Sequence, residues 1–184
     1  LVVTNHDARL IPESLGEGDV AAPLLFDRVS ADVPCSGDGT LRKNPLIWKR
    51  WNAAPGNMLH SLQLQIACKA VRLLKVGGRL AYSTCSLNPV ENEAVVARLL
   101  LTFGAGCLEL VDVSKDLPSL KRRAGLGSWQ VWHRGQWHPT WASVQERFSD
   151  KCPQLDSLFP PRPDELAAAG FGDANGGGLH LERC

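Results

Sequence analysis

The stretch Asp27-Arg28-Val29-Ser30-Ala31-Asp32-Val33-Pro34-Cys35-Ser36-Gly37-Asp38-Gly39 runs from an alternating apolar segment into a Pro/Gly stop. It reads as a strand over 27–33 followed by a turn. Downstream, Met58 to Lys75 is the clearest helix. Leu59, Leu62, Ile66, Ala70 and Leu73 recur at steps of three and four, and Gly77-Gly78 closes it. Arg79 to Thr84 is the next strand, ending at Cys85. Strand, helix and strand make one βαβ unit. Such crossovers are right-handed and leave the strands parallel, so both carboxyl ends reach the same sheet edge. Ligands of open α/β sheets bind at that edge. Cys35, Cys85, Asp32 and Asp7 are therefore expected to converge on one crevice.

Outward from this unit, Leu1 to Thr4 is an apolar run suited to an interior strand, with Asn5-His6-Asp7 at its end. Asn88-Pro89-Val90-Glu91 predicts a helix start, with Asn88 as N-cap, Pro89 at the first helical position and Glu91 closing a capping box. That helix is expected to run to about Phe103, and Cys107 to Val113 reads as another strand. The order strand, helix, strand, helix, strand is that of a doubly wound α/β fold. From Gly125 the pattern loosens. Trp129, Trp132, Trp137 and Trp141 sit among Gly, His and Pro, Phe159 to Pro163 reads as a rigid connector, and Gly176 to Gly178 as a flexible one. Residues 1–113 form the regular part, and 114–184 a Trp/Pro/Gly-rich extension of the same domain, partly loop.

The 184 residues carry 20 Lys+Arg against 19 Asp+Glu, for a net charge of +1, with 44% hydrophobic and 21% charged residues. This balance excludes a disordered tail, a collagen-like chain and a coiled coil. No apolar run approaches the roughly 20 residues of a membrane span. A polyanionic partner would have to be met by a local basic surface, because the global field does not attract it. Six cysteines without a CxxC pair read as free thiols of a reducing, intracellular compartment. The chain opens on Leu1 and ends at Cys184 without a polar tail, and so reads as a piece of a longer protein.

Cys85 lies three residues before the expected helix start at Asn88, where a helix N-terminus would lower its pKa. The competing reading makes Cys35 and Cys85 small buried hydrophobes, and position alone weighs the two equally. For mid-helix Cys68 the buried reading is preferred. A metal site needs three or four ligands and His6 is the only further candidate nearby, so no metal is expected. Arg42, Lys43, Lys49 and Arg50, interleaved with Trp48 and Trp51, could hold RNA phosphates and stack a base; the alternative is a solvated loop with core tryptophans. Lys121-Arg122-Arg123 reads as solvated, His6 as structural, His133 and His138 as packing, and Glu93 as a solvated helix residue.

Two long segments carry a resemblance. Asp32-Val33-Pro34-Cys35-Ser36-Gly37-Asp38-Gly39-Thr40 and Tyr82-Ser83-Thr84-Cys85-Ser86-Leu87-Asn88-Pro89-Val90-Glu91-Asn92-Glu93 closely resemble two signature motifs of the Sun-domain RNA (cytosine-5) methyltransferases. Arg42-Lys43-Asn44 and Asn5-His6-Asp7-Ala8 look most like the eukaryotic multisite tRNA branch of that family. The resemblance implies a Rossmann-like class I methyltransferase fold, S-adenosylmethionine as cofactor, tRNA as partner and a nuclear location. It implies Cys85 as nucleophile, Cys35 as the cysteine assisting product release, and Asp7 and Asp32 as cofactor contacts, with Asp32 also near the target base. The family's Gly-rich cofactor loop, catalytic lysine and ribose-binding acid precede the segment matching Asn5-His6-Asp7, and a closing strand follows the segment ending at Cys184. The fold is thus expected to be incomplete and this polypeptide inactive alone. The alternatives are a non-catalytic RNA-binding module that kept the motifs and, fitting poorly, an amino-group methyltransferase of the Asp-Pro-Pro-Tyr type, which has an aromatic residue in place of Cys35.

Overall fold

The computed structural model describes residues 1–16, 21–148, 153–171 and 182–183. Its elements in chain order begin with β1 (Ser14–Leu15), β2 (Ala22–Pro23), β3 (Phe26–Asp32), α1 (Leu46–Arg50), α2 (Ala54–Arg72), β4 (Leu74–Ser83) and α3 (Glu93–Phe103). They continue with β5 (Arg123–Ala124), β6 (Val131–His133), β7 (Gln136–His138), α4 (Trp141–Phe148), α5 (Pro163–Ala168) and β8 (Glu182–Arg183). Strands pair in twos: β1 with β2, β5 with β8 and β6 with β7 antiparallel, and β3 with β4 parallel.

The parallel pair positions the site. Its register sets Arg28 opposite Arg79 and runs in step to Asp32 opposite Ser83, so both strands end level. Val29, Ala31 and Val33 of the first segment, with Leu80 and Tyr82 of the second, pack on Ala70 and Ile66 of α2. On its other side α2 meets α3 through Ala67, Val95 and Leu99. A third cluster joins Val90 and Ala94 to Trp129, Val131, Val144, Leu158 and Phe159, which fastens the Trp-rich segment onto α3. The hairpin β6–β7 turns through Arg134 (φ 47°) and Gly135 (φ 85°), the two positive φ values that a tight hairpin turn requires. Asn57 of α2 anchors it by donating to the Trp132 carbonyl at 2.6 Å.

Several expectations are corrected. Leu1 to Thr4 is not a strand; Leu1, Val2 and Val3 are exposed, and no described strand lies beside them to complete a ladder. The architecture is α/β, but Cys107 to Val113 is irregular, so the parallel sheet has two strands among the described residues and lacks the third of the expected series. Helix α2 ends at Arg72; Gly77 and Gly78 lie within β4, where the register slips between Phe26 and Arg28 and Gly77 takes φ 76°. Residues 89–92 form a separate turn, and α3 starts at Glu93 with Asn92 as N-cap. The most buried stripe of α2 is Gly56, His60, Gln63, Ala67 and Ala70, which shares only Ala70 with the expected stripe, because the loops after the two strands press on it there. Leu158 and Phe159 are core, and Pro163 opens α5, so this stretch is not a bare connector. Gly176 to Gly178, and Leu181 and Cys184, lie outside the described residues.

Leu99 is buried at the α2–α3 seam. Leu99→Ala is expected to lower unfolding free energy by about 2–5 kcal/mol, measured by urea denaturation. Met58, 80% exposed on α2, serves as comparison, and Met58→Ala is expected to change it by less than about 0.5 kcal/mol.

A cysteine pair at the ends of two parallel strands

Level strand ends bring the loops after β3 and β4 together. Val33 N–H continues the ladder to the Ser83 carbonyl at 3.1 Å, and the chains then part into the Cys35 and Cys85 loops. The sulfurs of Cys35 and Cys85 lie 3.1 Å apart. That is well beyond the roughly 2.05 Å of a disulfide, so both are free thiols. The Cys85 N–H also donates to Cys35 Sγ at 3.3 Å. Cys85 is exposed and Cys35 half-buried, so neither is the small buried hydrophobe of the competing reading. Mid-helix Cys68 is half-buried, and burial pushes its thiol pKa up.

The Cys35 loop folds over the Cys85 backbone. Gly37 adopts φ 72°, and Gly39 N–H donates to the Cys85 carbonyl at 2.9 Å. A Cβ at Gly39 would stand 2.8 Å from that carbonyl oxygen, so only glycine permits the approach. Asp38 returns the contact, accepting from Leu87 N–H at 2.7 Å.

Beneath both loops lies Glu91, fully buried. Its carboxylate accepts from Ser36 N–H at 2.8 Å and from the Ser36 hydroxyl, from the Ser86 hydroxyl at 2.7 Å, and from the Gln63 amide at 3.1 Å. Gln63, also fully buried, donates to the Pro34 carbonyl at 2.8 Å. One carboxylate thus ties the residue after each cysteine to helix α2. Gly56 makes room for it: a Cβ there would meet Asn88 Nδ2 at 2.2 Å and Glu91 Oε2 at 3.0 Å. His60 Nδ1 lies 2.8 Å from the Val90 carbonyl oxygen, and burial lowers its pKa, keeping the ring neutral. Tyr82 donates to the Glu91 carbonyl at 2.7 Å; burial, then the Glu91 charge, raises its pKa far above the ordinary value.

Glu91 is therefore not a capping-box residue. Its side chain faces the strand-end loops because α3 begins beyond it. Nor is Glu93 solvated: it is buried and accepts from Leu126 N–H at 3.0 Å. The Glu91 network was missed from sequence. Its signals were the serine after each cysteine, Ser36 and Ser86, and the polar residues His60 and Gln63 in register with Gly56, Ala67 and Ala70.

The Cys85 thiol pKa is raised, opposite to the helix-terminus expectation. The chief cause is its hydrogen bond with Cys35, followed by burial and by the cost of placing a thiolate charge beside Cys35 and Asp32. The α3 N-cap Asn92 lies against the residues on either side of Cys85, accepting from the Thr84 hydroxyl at 2.7 Å and donating to the Ser86 carbonyl at 2.9 Å, and the Cys35 contact outweighs any lowering from that helix end.

Asp32 is exposed at the end of β3, accepting from the Ser83 hydroxyl at 2.9 Å with one carboxylate oxygen. Asp7 is held differently. The Arg9 guanidinium grips both its oxygens and the Arg9 N–H adds a third donor, holding its pKa down to about 2. Arg9 in turn reaches Gln65 of α2, so this carboxylate is engaged on the helix and not with the cysteines. Arg42, Lys43, Lys49 and Arg50 are all exposed, and no acidic residue lies within ion-pair distance of them among the described residues. Trp48 and Trp51 beside them are 72% and 45% exposed, so they are not core tryptophans. Arg122 is not simply solvated: it donates to the Ser114 and Leu117 carbonyls. His133 and His138 pack edge-on against Phe148. No cluster of three or more potential metal ligands occurs among the described residues, and none of their helices is long and apolar enough to cross a membrane.

Two measurements check this geometry. Carbamidomethylation of Cys85, followed by peptide mass spectrometry, is expected to show a pH midpoint above the roughly 8.5 of a free thiol. Cys35→Ala removes the acceptor that favours the protonated form, so the midpoint should move down and the rate at neutral pH rise; an unmoved midpoint contradicts the assigned cause. Glu91→Gln places an NH2 group against serine hydroxyls and the Ser36 N–H. It is expected to cost about 1–3 kcal/mol of unfolding free energy.

Comparison with known proteins places the chain. The family model for 16S rRNA methyltransferase RsmB/F matches residues 1–119. The chain is 43% identical to the multisite-specific tRNA:(cytosine-C(5))-methyltransferase trm4b of Schizosaccharomyces pombe, with 100% of this chain and 26% of that protein covered. It is 44% identical to the multisite-specific tRNA:(cytosine-C(5))-methyltransferase of Saccharomyces cerevisiae, over 91% of this chain and 24% of that one. It is 49% identical to a tRNA (cytosine(34)-C(5))-methyltransferase of Drosophila melanogaster, over 93% of this chain and 23% of that one. The chain thus spans about a quarter of the length of these relatives.

Proposed function

The chain belongs to the 16S rRNA methyltransferase RsmB/F family, and from that premise we propose that it carries the cysteine pair of an S-adenosylmethionine-dependent tRNA (cytosine-5)-methyltransferase. The observation that carries the reading is the 3.1 Å approach of two free thiols, one of them exposed, at the ends of parallel strands. A Rossmann-like fold, an intracellular and nuclear location, and residues 114–184 as an extension of the same catalytic unit belong to the same proposal.

The chemistry needs these residues. Cytosine C5 is a poor carbon nucleophile. Addition of the Cys85 thiolate to C6 breaks the ring's aromaticity and makes C5 enamine-like. The Cys85 proton must leave first, to water or a general base, because Cys35 is itself a thiol and only hydrogen-bonds to it. Once C5 is substituted, a base takes the C5 proton, the C6–S bond breaks and its electron pair returns to Cys85. Cys35, within contact of the departing sulfur, assists that release.

S-adenosylmethionine, when bound, supplies the methyl group. Asp32 fits a cofactor bearing an amine and a sulfonium, because its carboxylate is exposed and only one of its oxygens is engaged. It also suits the amino group of a cytosine over Cys85. Asp7 fits only if Arg9 releases it, since both its oxygens are taken. Arg42, Lys43, Lys49 and Arg50, without an acidic partner among the described residues, offer charge to RNA phosphates.

A covalent-trapping assay on the full-length protein tests the assignment. With cytosine-containing tRNA and S-adenosylmethionine, Cys35→Ala is expected to accumulate a denaturation-resistant protein–RNA adduct, and Cys85→Ala none. An adduct in the Cys85 variant overturns the roles; no adduct and no methylation with the intact protein favours a non-catalytic RNA-binding module.

A further inference from the structure

A second recess opens beside the cysteine loops, with a volume of about 470 Å3. Three tryptophans line it, Trp51, Trp129 and Trp137, together with the apolar Leu87 and Pro89. Leu87 stands two residues after Cys85. Asp38, which also lines the recess, stands three after Cys35. The recess therefore shares its wall with both loops that carry the thiols.

Its parts are firmly held. Trp129 is buried, and its indole N–H donates to the Leu158 carbonyl at 2.7 Å, which fixes one wall. Trp137 lies opposite Trp132 in the β6–β7 ladder, and the two rings meet edge to face with centroids 5.2 Å apart. Trp137 nonetheless remains 53% exposed, and Trp51, at the end of α1, 45% exposed. Two large indoles left open to water on one recess call for a flat apolar occupant.

The charge beside them says which. Lys49 and Arg50 directly precede Trp51, are exposed, and have no acidic partner among the described residues. Arg50 and Trp51 also line a smaller neighbouring recess of about 230 Å3 together with Ser36. The acidic group on the wall, Asp38, is largely buried and engaged by Leu87 N–H. An aromatic slot joined through Trp51 to a recess lined by a cation, Arg50, matches a planar base joined to a phosphate.

We infer that the recess bounded by Trp51 and Trp137 receives an unpaired nucleobase of the substrate RNA, a neighbour of the cytosine presented to Cys85, with Arg50 of the adjoining recess against its phosphate. This rests on the proposed RNA substrate and adds a subsite to it. Because every base has a π-face, the subsite selects for a single-stranded neighbour and not for one base. It also holds the strand beside the thiols while the target ring is turned toward them.

Binding of a fluorescein-labelled tRNA to the full-length protein, followed by anisotropy, tests this without requiring turnover. Trp137→Ala is expected to raise Kd roughly tenfold, and Trp137→Phe to recover most of that loss. Trp51→Ala should weaken binding in the same direction, which guards against a folding defect peculiar to one variant. Replacing the nucleotides flanking the target cytosine by abasic ones should weaken binding to the parent protein, with little further effect on Trp137→Ala. Unchanged Kd for both alanine variants, or equal abasic penalties in parent and variant, overturns the subsite. The adduct assay in the Cys35→Ala background separates the two levels. An adduct with Trp-independent RNA binding sinks only the subsite, whereas no adduct with Trp-dependent binding sinks the cysteine chemistry and leaves the subsite standing.

Discussion

The buried Glu91 carboxylate governs the arrangement of this chain. It accepts hydrogen bonds from Ser36, Ser86 and Gln63, and so joins the loop after β3, the loop after β4 and the face of α2. A carboxylate taken fully out of water is costly unless donors surround it. Here they come from three separate segments, so forming the network and closing the strand ends are the same event. Gly56 is the steric counterpart, because any side chain at that position would occupy the space of Glu91 and Asn88.

Consequences for the thiols follow from this clamp. Fixing Ser36 and Ser86 fixes the residues immediately before them, and the two sulfurs are left in contact. In that state Cys85 holds its proton, through its bond to Cys35 and the negative charge nearby. A thiol that keeps its proton is protected from adventitious electrophiles. The contact thus restrains the very thiol that it leaves exposed.

Around this centre the chain separates two tasks. The strand-end loops supply reactive groups, and α1 with the β6–β7 hairpin supplies exposed indoles and cations. Asn57 bonds α2 to the hairpin, so the helix that carries Gln63 also carries the platform for Trp137. Rigid elements therefore set the spacing between the thiols and the aromatic recess.

The strand–helix–strand core was legible in the sequence because alternation and three-four periodicity are local signals, as was the meeting of Cys35 and Cys85, which needs only parallel strands of known ends. Leu1 to Thr4 and Cys107 to Val113 misled because an apolar run becomes a strand only when a neighbour completes its ladder, a property outside the run itself. His60, Gln63 and Glu91 misled in the other direction: polar letters suggest water, yet all three are buried because their partners arrive from other segments. What the amino-acid order determined alone was the βαβ unit and the residue types at its edge. What tertiary structure decided was the protonation preference of Cys85, the engagement of Asp7 by Arg9 and the clamp at Glu91. Each of these is an electrostatic balance among groups brought together through space, and such balances depend on distances that no local pattern encodes.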